Sequence, residues 1–496
     1  MAGTGLGMFL VFLLVKDSLT DDAYITLAYA KNLALHLHWG LIPQEVSNSA
    51  TSPLNVFLLG AVSAATRIGG GVHPILALGI VSVGLAMVLA RAWTRVARTL
   101  RLPFAAPALG VSLILLNPFL LSAVGLEVVL IPAVLMALLA MALEERPTAF
   151  GVVAGLALLT RLDLVVFVLL LTLATGAIRR RWPRALVSAL IVAGPWFAFS
   201  WVALGSAVPD TLVIKMSQGG LFGVWTYVTG PVMYAIGQPL EVVLAFASAV
   251  AGLFALAGWL VLRASARLVP TEGLPSLGPV AAVGAGGVAY YLTYSVLSLG
   301  PYHWYYVPPA IALSIFLAAA VGRWLILARH SSWLRPTAPM LGLGLTGLLA
   351  LGNLGVDLGQ GLPWDSPVIF GNWASARDYT RVGEALHRRI GSATVASPGE
   401  IGTLAYACDC AILDQFSDRG ALVQVVNQHI ANGGAPARLL LKVNYAWLDR
   451  SQRPRPLDYR LLYEPGPGSG RDIWQVWSAA RGVGHFRLVP VAHRSS

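Results

Sequence analysis

The chain has 496 residues, 56% of them hydrophobic and only 11% charged, against about 25% charge in a soluble domain. A mean hydropathy of +0.70 excludes an ordinary water-soluble enzyme. The net charge of +11 sits largely in short arginine clusters between apolar stretches, which marks the cytoplasmic side of a membrane protein and not a nucleic-acid surface. Two cysteines, Cys408 and Cys410, exclude a disulfide framework.

The clusters are Arg91/Arg95/Arg98/Arg101, Arg146, Arg179/Arg180/Arg181/Arg184, Arg263/Arg267 and Arg323/Arg329/Arg335. Placing all five inside predicts the topology. A first span ends near Val15 and exits. It is short for a full crossing, and it lacks the basic n-region of a signal peptide. Segment 17–72 stays outside, with Pro53–Thr66 as a helix along the interface. Spans follow at about 73–93, 104–122, 128–143, 148–161, 163–178, 184–204, 237–262, 279–299, 304–322 and 337–356. Residues 1–356 thus read as a polytopic α-helical membrane unit of about eleven transmembrane helices. Four segments fall outside: the first loop 17–72, a turn at 123–127, loop 205–236 and loop 300–304.

After residue 356 polar residues and Pro/Gly turns rise. Thr394–Ala396, Ala411–Leu413, Leu439–Val443, Tyr459–Tyr463, Ile473–Trp477 and Phe486–Val489 read as strands. Glu400–Tyr406 and Ala421–Ala431 read as helices. The alternation predicts a small extracytoplasmic α/β domain over 357–496, a surface that could contact glycan.

The outer segments carry the candidate chemistry. Asp21 and Asp22 adjoin the first hydrophobic segment, where unneutralised carboxylates are costly. They could cap a helix, or one could face a cavity as a general base. Neighbours on a helix differ by about 100°, so only one can point in; Asp22 is favoured. Glu127 could be a solvated loop end, an acceptor-binding group or a cation ligand. Arg161 and Asp163 interrupt a long apolar stretch. They could be a structural pair, or Arg161 could bind a lipid phosphate bidentately. Lys215 and His303 are further phosphate candidates. Tyr24, Tyr302, Trp304 and Tyr305 could belong to an interfacial belt, stack on a sugar or cover a lipid head. His36 and His38, two residues apart, point away from each other on a helix, which disfavours zinc. Cys408 and Cys410 could bridge or stay free. No P-loop, GxGxxG or GxSxG motif stands in a suitable context.

These residues carry a resemblance. DDAYITLAYAKNLA followed by SNSATSPLNVFLLGA resembles the first outer loop of the GT-C glycosyltransferases, most closely the branch holding the terminal β-(1→2)-arabinofuranosyltransferase of mycobacterial walls. VGLEVVLIPAVL resembles the family's second acidic turn, LALLTRLDLVVF its Leu-Thr-Arg segment, and GSAVPDTLVIKM its Gly-Ser-Pro-Asn-Thr-Lys segment. GEIGTLAYACDCAILDQFS resembles a stretch of its C-terminal domains. Leu162, Val128 and Asp210 stand where the family commonly has Pro, Thr and Asn.

The resemblance implies an inverting glycosyltransferase of the bacterial plasma membrane, active on its outer face. The donor would be a polyprenyl-phosphate sugar, with arabinofuranose the foremost sugar and mannose or another hexose the alternative. The acceptor would be a cell-envelope glycan or glycolipid, such as arabinan in cell wall biogenesis. Asp22 and Asp21 would be catalytic; Arg161, Lys215 and His303 would hold the donor phosphate. No cofactor is required, and two carboxylate sites leave room for a divalent cation. A lipid-linked glycan transporter would instead show repeated halves and ionisable groups deep in its spans. A non-catalytic assembly partner would tolerate loss of Asp21 and Asp22.

Overall fold

The computed structural model describes residues 1–67, 69–216, 223–264, 274–330 and 337–492. Arg267, Arg335 and part of loop 205–236 lie outside these residues. Helices dominate up to residue 359: α1 (Ala2–Val15), α2 (Asp21–His36), α3 (Pro53–Ala65), α4 (Pro74–Thr99), α5 (Ala105–Leu115), α6 (Pro118–Leu121), α7 (Leu130–Leu143), α8 (Pro147–Thr160), α9 (Val165–Ala174), α10 (Gly176–Arg180), α11 (Trp182–Ala203), α12 (Thr211–Met216), α13 (Gly230–Gly237), α14 (Pro239–Ala264), α15 (Gly278–Val296), α16 (Val307–His330) and α17 (Thr337–Gly359). Short 3-10 turns at Leu162–Leu164 and His303–Tyr306 lead into α9 and α16. Proline opens several helices, among them α3, α4, α6 and α8, where its fixed φ suits the first turn and its missing N–H is not needed.

Each apolar stretch expected to cross the membrane holds a helix. Five described segments are long and apolar enough to cross by length and composition: Pro74–Thr99, Trp182–Ala203, Pro239–Ala264, His303–Ala328 and Pro339–Gly359. α1, α5, α7 and α8 are apolar but shorter. Pro53–Thr66 is helical, as α3, and packs between α2 and α4. The main core runs through α1, α2, α4, α7, α15 and α16.

The C-terminal part adds α18 (Ala376–Ile390), α19 (Gly402–Cys408), α20 (Arg419–Asn432) and α21 (Ala435–Asn444), with strands β1 (Thr394–Ala396), β2 (Ala411–Leu413), β3 (Tyr459–Pro465), β4 (Ile473–Ser478) and β5 (Gly482–Pro490). The sheet order is β2-β1-β3-β5-β4. β1 pairs in parallel with β2 and β3, and β5 pairs antiparallel with β3 and β4. One expected strand is wrong: Leu439–Val443 lies in α21. Gly433 and Gly434 precede this segment and Pro436 opens it, and its Ala, Arg, Leu and Lys residues favour helix. A second core joins this part to segment 17–72: Ala28, Tyr29, Trp39 and Val56 pack with Leu404, Ala405 and the sheet. Cys408 and Cys410 are joined as a disulfide at the end of α19.

Candidate active site

Asp21 and Asp22 open α2 but point to different neighbours. Asp21 is buried. Its two carboxylate oxygens accept the backbone N–H groups of Gly402 (2.9 Å) and Thr403 (2.8 Å), at the start of α19. Thr20, the N-cap of α2, donates its hydroxyl to Asn372 Oδ1 at 2.8 Å and makes no side-chain cap. The acidic pair therefore does not cap its own helix; Asp21 caps another. Gly402 is required there, because a Cβ would collide with the Asp21 carbonyl oxygen. Burial, opposed by the amide bonds and aided by the Asp22 charge, pushes Asp21 up to about 6. Asp21 lines the same cavity as Asp22, but each of its oxygens already accepts an amide N–H.

Asp22 faces a cavity. Its Oδ1 lies 3.3 Å from Lys215 Nζ. Lys215 is buried on α12, and a hydrogen-bonded segment puts it there. Tyr29 Oη contacts the Ser47 and Ser49 hydroxyls at 2.6 and 2.9 Å. The Asn48 amide donates to Ser200 and Ser206. Thr211 Oγ1 donates to the Ser49 carbonyl at 2.5 Å, and the Asp210 N–H donates to the Asn48 carbonyl at 2.9 Å. The polar run 47–52 thus clamps the start of α12. The Lys215 ammonium sits 4.1 Å from the Tyr302 ring centroid, 5.0 Å from Trp304 and 5.7 Å from Tyr305. Burial works against its charge, but Tyr305 and Asp22 hold it above the ordinary lysine range.

Arg161 lies close by in a different setting. It is extended at the C-terminus of α8 and buried. Its Nε and Nη2 donate to Asp163 at 2.7–3.2 Å, Nη2 donates to Tyr294 at 2.7 Å, and Nη1 donates to Glu127. Tyr290 and Tyr294, stacked at 4.4 Å, both donate to Asp163. Glu127 is held on the turn before α7 by Gly125, whose φ of +106° and proximity to the Ala23 methyl exclude a side chain. Arg161 is therefore committed to Glu127, Asp163 and Tyr294. The expectation of a guanidinium open to phosphate is corrected, and the structural-pair alternative fits. Glu127 is likewise not a solvated loop end. Arg161 holds the Glu127 Oε1, and the Glu127 Oε2 is buried without a hydrogen-bond partner.

His303 and Tyr24 differ from expectation in opposite degrees. His303 is buried with Nε2 3.4 Å from the Ser122 carbonyl, on the wall of the Asp22 cavity. Tyr24 is buried against Tyr406, ring centroids 5.3 Å apart. It is core, not a sugar platform, because it faces the junction between α2 and α19.

Three cavities meet at Lys215. A small one of about 30 Å³ is lined by Asp22, Glu127, Arg161, Lys215, Trp304 and Tyr305. A mostly apolar one of about 280 Å³ runs between α9, α12 and α15, past Leu162, Val166, Leu212 and Leu297. A more polar one of about 290 Å³ opens beneath the C-terminal part, between Asp22, Tyr302, Trp373, Glu400 and Arg481. Sequence reasoning missed Tyr290, Tyr294, Trp373 and Glu400. The AYYLTY spacing of Tyr290 and Tyr294 was a usable signal, since residues four apart share a helix face. Nothing local marked Trp373 or Glu400. Glu400 accepts from the Trp373 N–H at 3.0 Å and from the Tyr379 hydroxyl. Burial, then the neighbouring Asp21 charge, pushes it up to about 8.

No family model matches this chain, and no curated protein matches it. Its fold is similar to that of ArnT from Cupriavidus metallidurans. The crystal structure of ArnT bound to undecaprenyl phosphate superposes with a TM-score of 0.58 at 14% identity, covering 98% of this chain and 97% of that chain. The apo structure gives 0.57 at 14%, covering 98% and 96%. At that identity the likeness shows the fold alone. Arabinofuranosyltransferase AftD from Mycobacteria gives 0.49 at 13% identity, covering 98% of this chain and 39% of that chain, and carries no argument.

Proposed function

We propose that this chain is a GT-C glycosyltransferase of the bacterial plasma membrane. It moves a sugar from a polyprenyl-phosphate donor to a cell-envelope glycan or glycolipid on the outer face. About eleven crossings put the arginine clusters inside and the 357–496 unit outside. The observation that carries the reading is the Asp22–Lys215 pair, where an apolar cavity and a polar cavity meet. An isoprenoid tail fits the first and a hydrophilic acceptor the second.

Lys215 binds the donor phosphate. Its aromatic surround supports a cation without occupying its N–H donors. Asp22 takes the proton of the acceptor hydroxyl as that oxygen bonds to the anomeric carbon. The bond from that carbon to the phosphate oxygen breaks, and the anomeric configuration inverts. The polyprenyl phosphate leaves with its added negative charge on Lys215, a fixed cation in a water-poor site. Arg161 shapes the wall between the two cavities. Arabinofuranose is the sugar that the sequence resemblance favours, with a hexose such as mannose as alternative.

General-base assistance is worth about 10²–10⁴-fold. Asp22→Asn keeps the side chain's shape but cannot take the proton. Purified in liposomes and given radiolabelled polyprenyl-phosphate arabinofuranose or mannose with a glycan acceptor, this variant should fold, with a melting temperature lowered by the loss of the Lys215 ion pair, and should lose transfer by that factor. Near-normal transfer would remove the reading.

A further inference from the structure

Helix α21 carries apolar residues on two sides. Leu441 and Tyr445, with Leu448 just beyond the helix, pack inward with Val213 and Ile214 of α12. Leu439, Leu440, Val443 and Trp447 face out, at 64%, 70%, 52% and 60% exposure. A helix on a water-facing surface carries polar residues there. Arg438 and Lys442, one turn apart and exposed, adjoin this apolar face.

The helix is fastened to the outer end of a candidate span. Trp201 of α11 donates its indole N–H to the Val443 carbonyl at 2.9 Å. The Val208 N–H donates to Asn444 Oδ1 at 2.8 Å. α11 is long and apolar enough to cross a membrane, and it exposes Leu190, Phe199 and Val202. The outer face of α21 therefore continues the apolar surface of α11 at its end.

We infer that α21 is an interfacial helix lying in the outer headgroup layer. Leu439, Leu440, Val443 and Trp447 meet the acyl chains, and Arg438 and Lys442 meet lipid phosphates. Long basic side chains and tryptophan both favour that boundary. The inward side of α21 packs on α20, which in turn packs on α12, so its depth sets the height of Lys215 against the bilayer through α20. The inference rests on α11 crossing the membrane, not on the transfer reaction.

Cys408 and Cys410 are bonded to each other, so an introduced cysteine is the free thiol. Spin-labelled Leu440→Cys in the full chain, in phosphatidylcholine–phosphatidylglycerol vesicles, should collide more with oxygen than with a nickel chelate. Arg460→Cys, on an exposed strand position, should show the reverse. Equal nickel-chelate access at both positions would overturn the inference. So would immobilisation at 440 that grows with protein-to-lipid ratio, which would put a second copy on this face. Adding Arg438→Gln and Lys442→Gln should make the label shallower when phosphatidylglycerol is present. An unchanged depth would overturn the phosphate contact.

Discussion

Two buried cations lie near the Tyr305 ring, Arg161 at 5.3 Å and Lys215 at 5.7 Å, and they are partnered in opposite ways. Arg161 commits all three nitrogens to two carboxylates and a tyrosine. Lys215 has Asp22 at 3.3 Å and otherwise aromatic faces. A guanidinium with four of its five N–H groups engaged has little left to offer a ligand; an ammonium held by rings keeps its donors. Residue type alone would rank the arginine first as a phosphate ligand. Partnering reverses the order.

The comparison breaks or sharpens on four measurements, the largest effect first. Arg161→Ala leaves the buried Glu127 and the half-buried Asp163 without their counter-ion, and breaking such a buried pair costs about 3–5 kcal/mol. Thermal unfolding in detergent should show a large drop in melting temperature. A stable Arg161→Ala protein with weakened donor binding would return the phosphate to Arg161.

Lys215→Ala should do the reverse. Removing a preorganised charge that stabilises the transition state costs about 10²–10³ in rate, and folding should be nearly unaffected. Initial rates across donor concentrations, beside melting curves, check this. A Lys215→Ala variant destabilised like Arg161→Ala would make both cations structural.

Asp21→Asn tests the other half of the acidic pair. The amide can accept one of the two α19 N–H bonds but not both as a carboxylate does. Hydrogen bonds to a charged group are worth about 1.5–3 kcal/mol each, so the melting temperature should fall modestly. Any loss of transfer should follow that loss of stability. Full stability with abolished transfer would make Asp21 the base.

Glu400 gives the smallest effect and a sign. Its folded pKa of about 8 lies above the ordinary 4.5 because it is buried and adjoins Asp21. The folded protein holds a proton that the unfolded chain releases. That stability is complete below pH 4.5 and is lost as pH rises through about 8. Glu400→Gln should flatten this slope in melting curves across that window. An unchanged slope would place the titrating group elsewhere.

Many of the helices before residue 359 were legible in the sequence because hydrophobic length is a local property. The expected apolar stretches from 73 to 356 hold helices, while α12 and α13 form where only a loop was expected, and five of the six expected C-terminal strands form. The sixth failed because Leu439–Leu441 fits either period when read alone. Which side of it is covered by α20 decides the matter. Residue identity also marked Asp22, Lys215 and Trp304 as candidates, and the structure brings the three to one cavity. Partnering was not legible. That Asp21 caps a helix 381 residues away, that Arg161 is consumed by Glu127, and that Glu400 joins the Asp22 cavity are all long-range pairings. They follow from desolvation: a buried charge must find a partner, and the chain position of that partner is set by the packing of helices, not by sequence spacing.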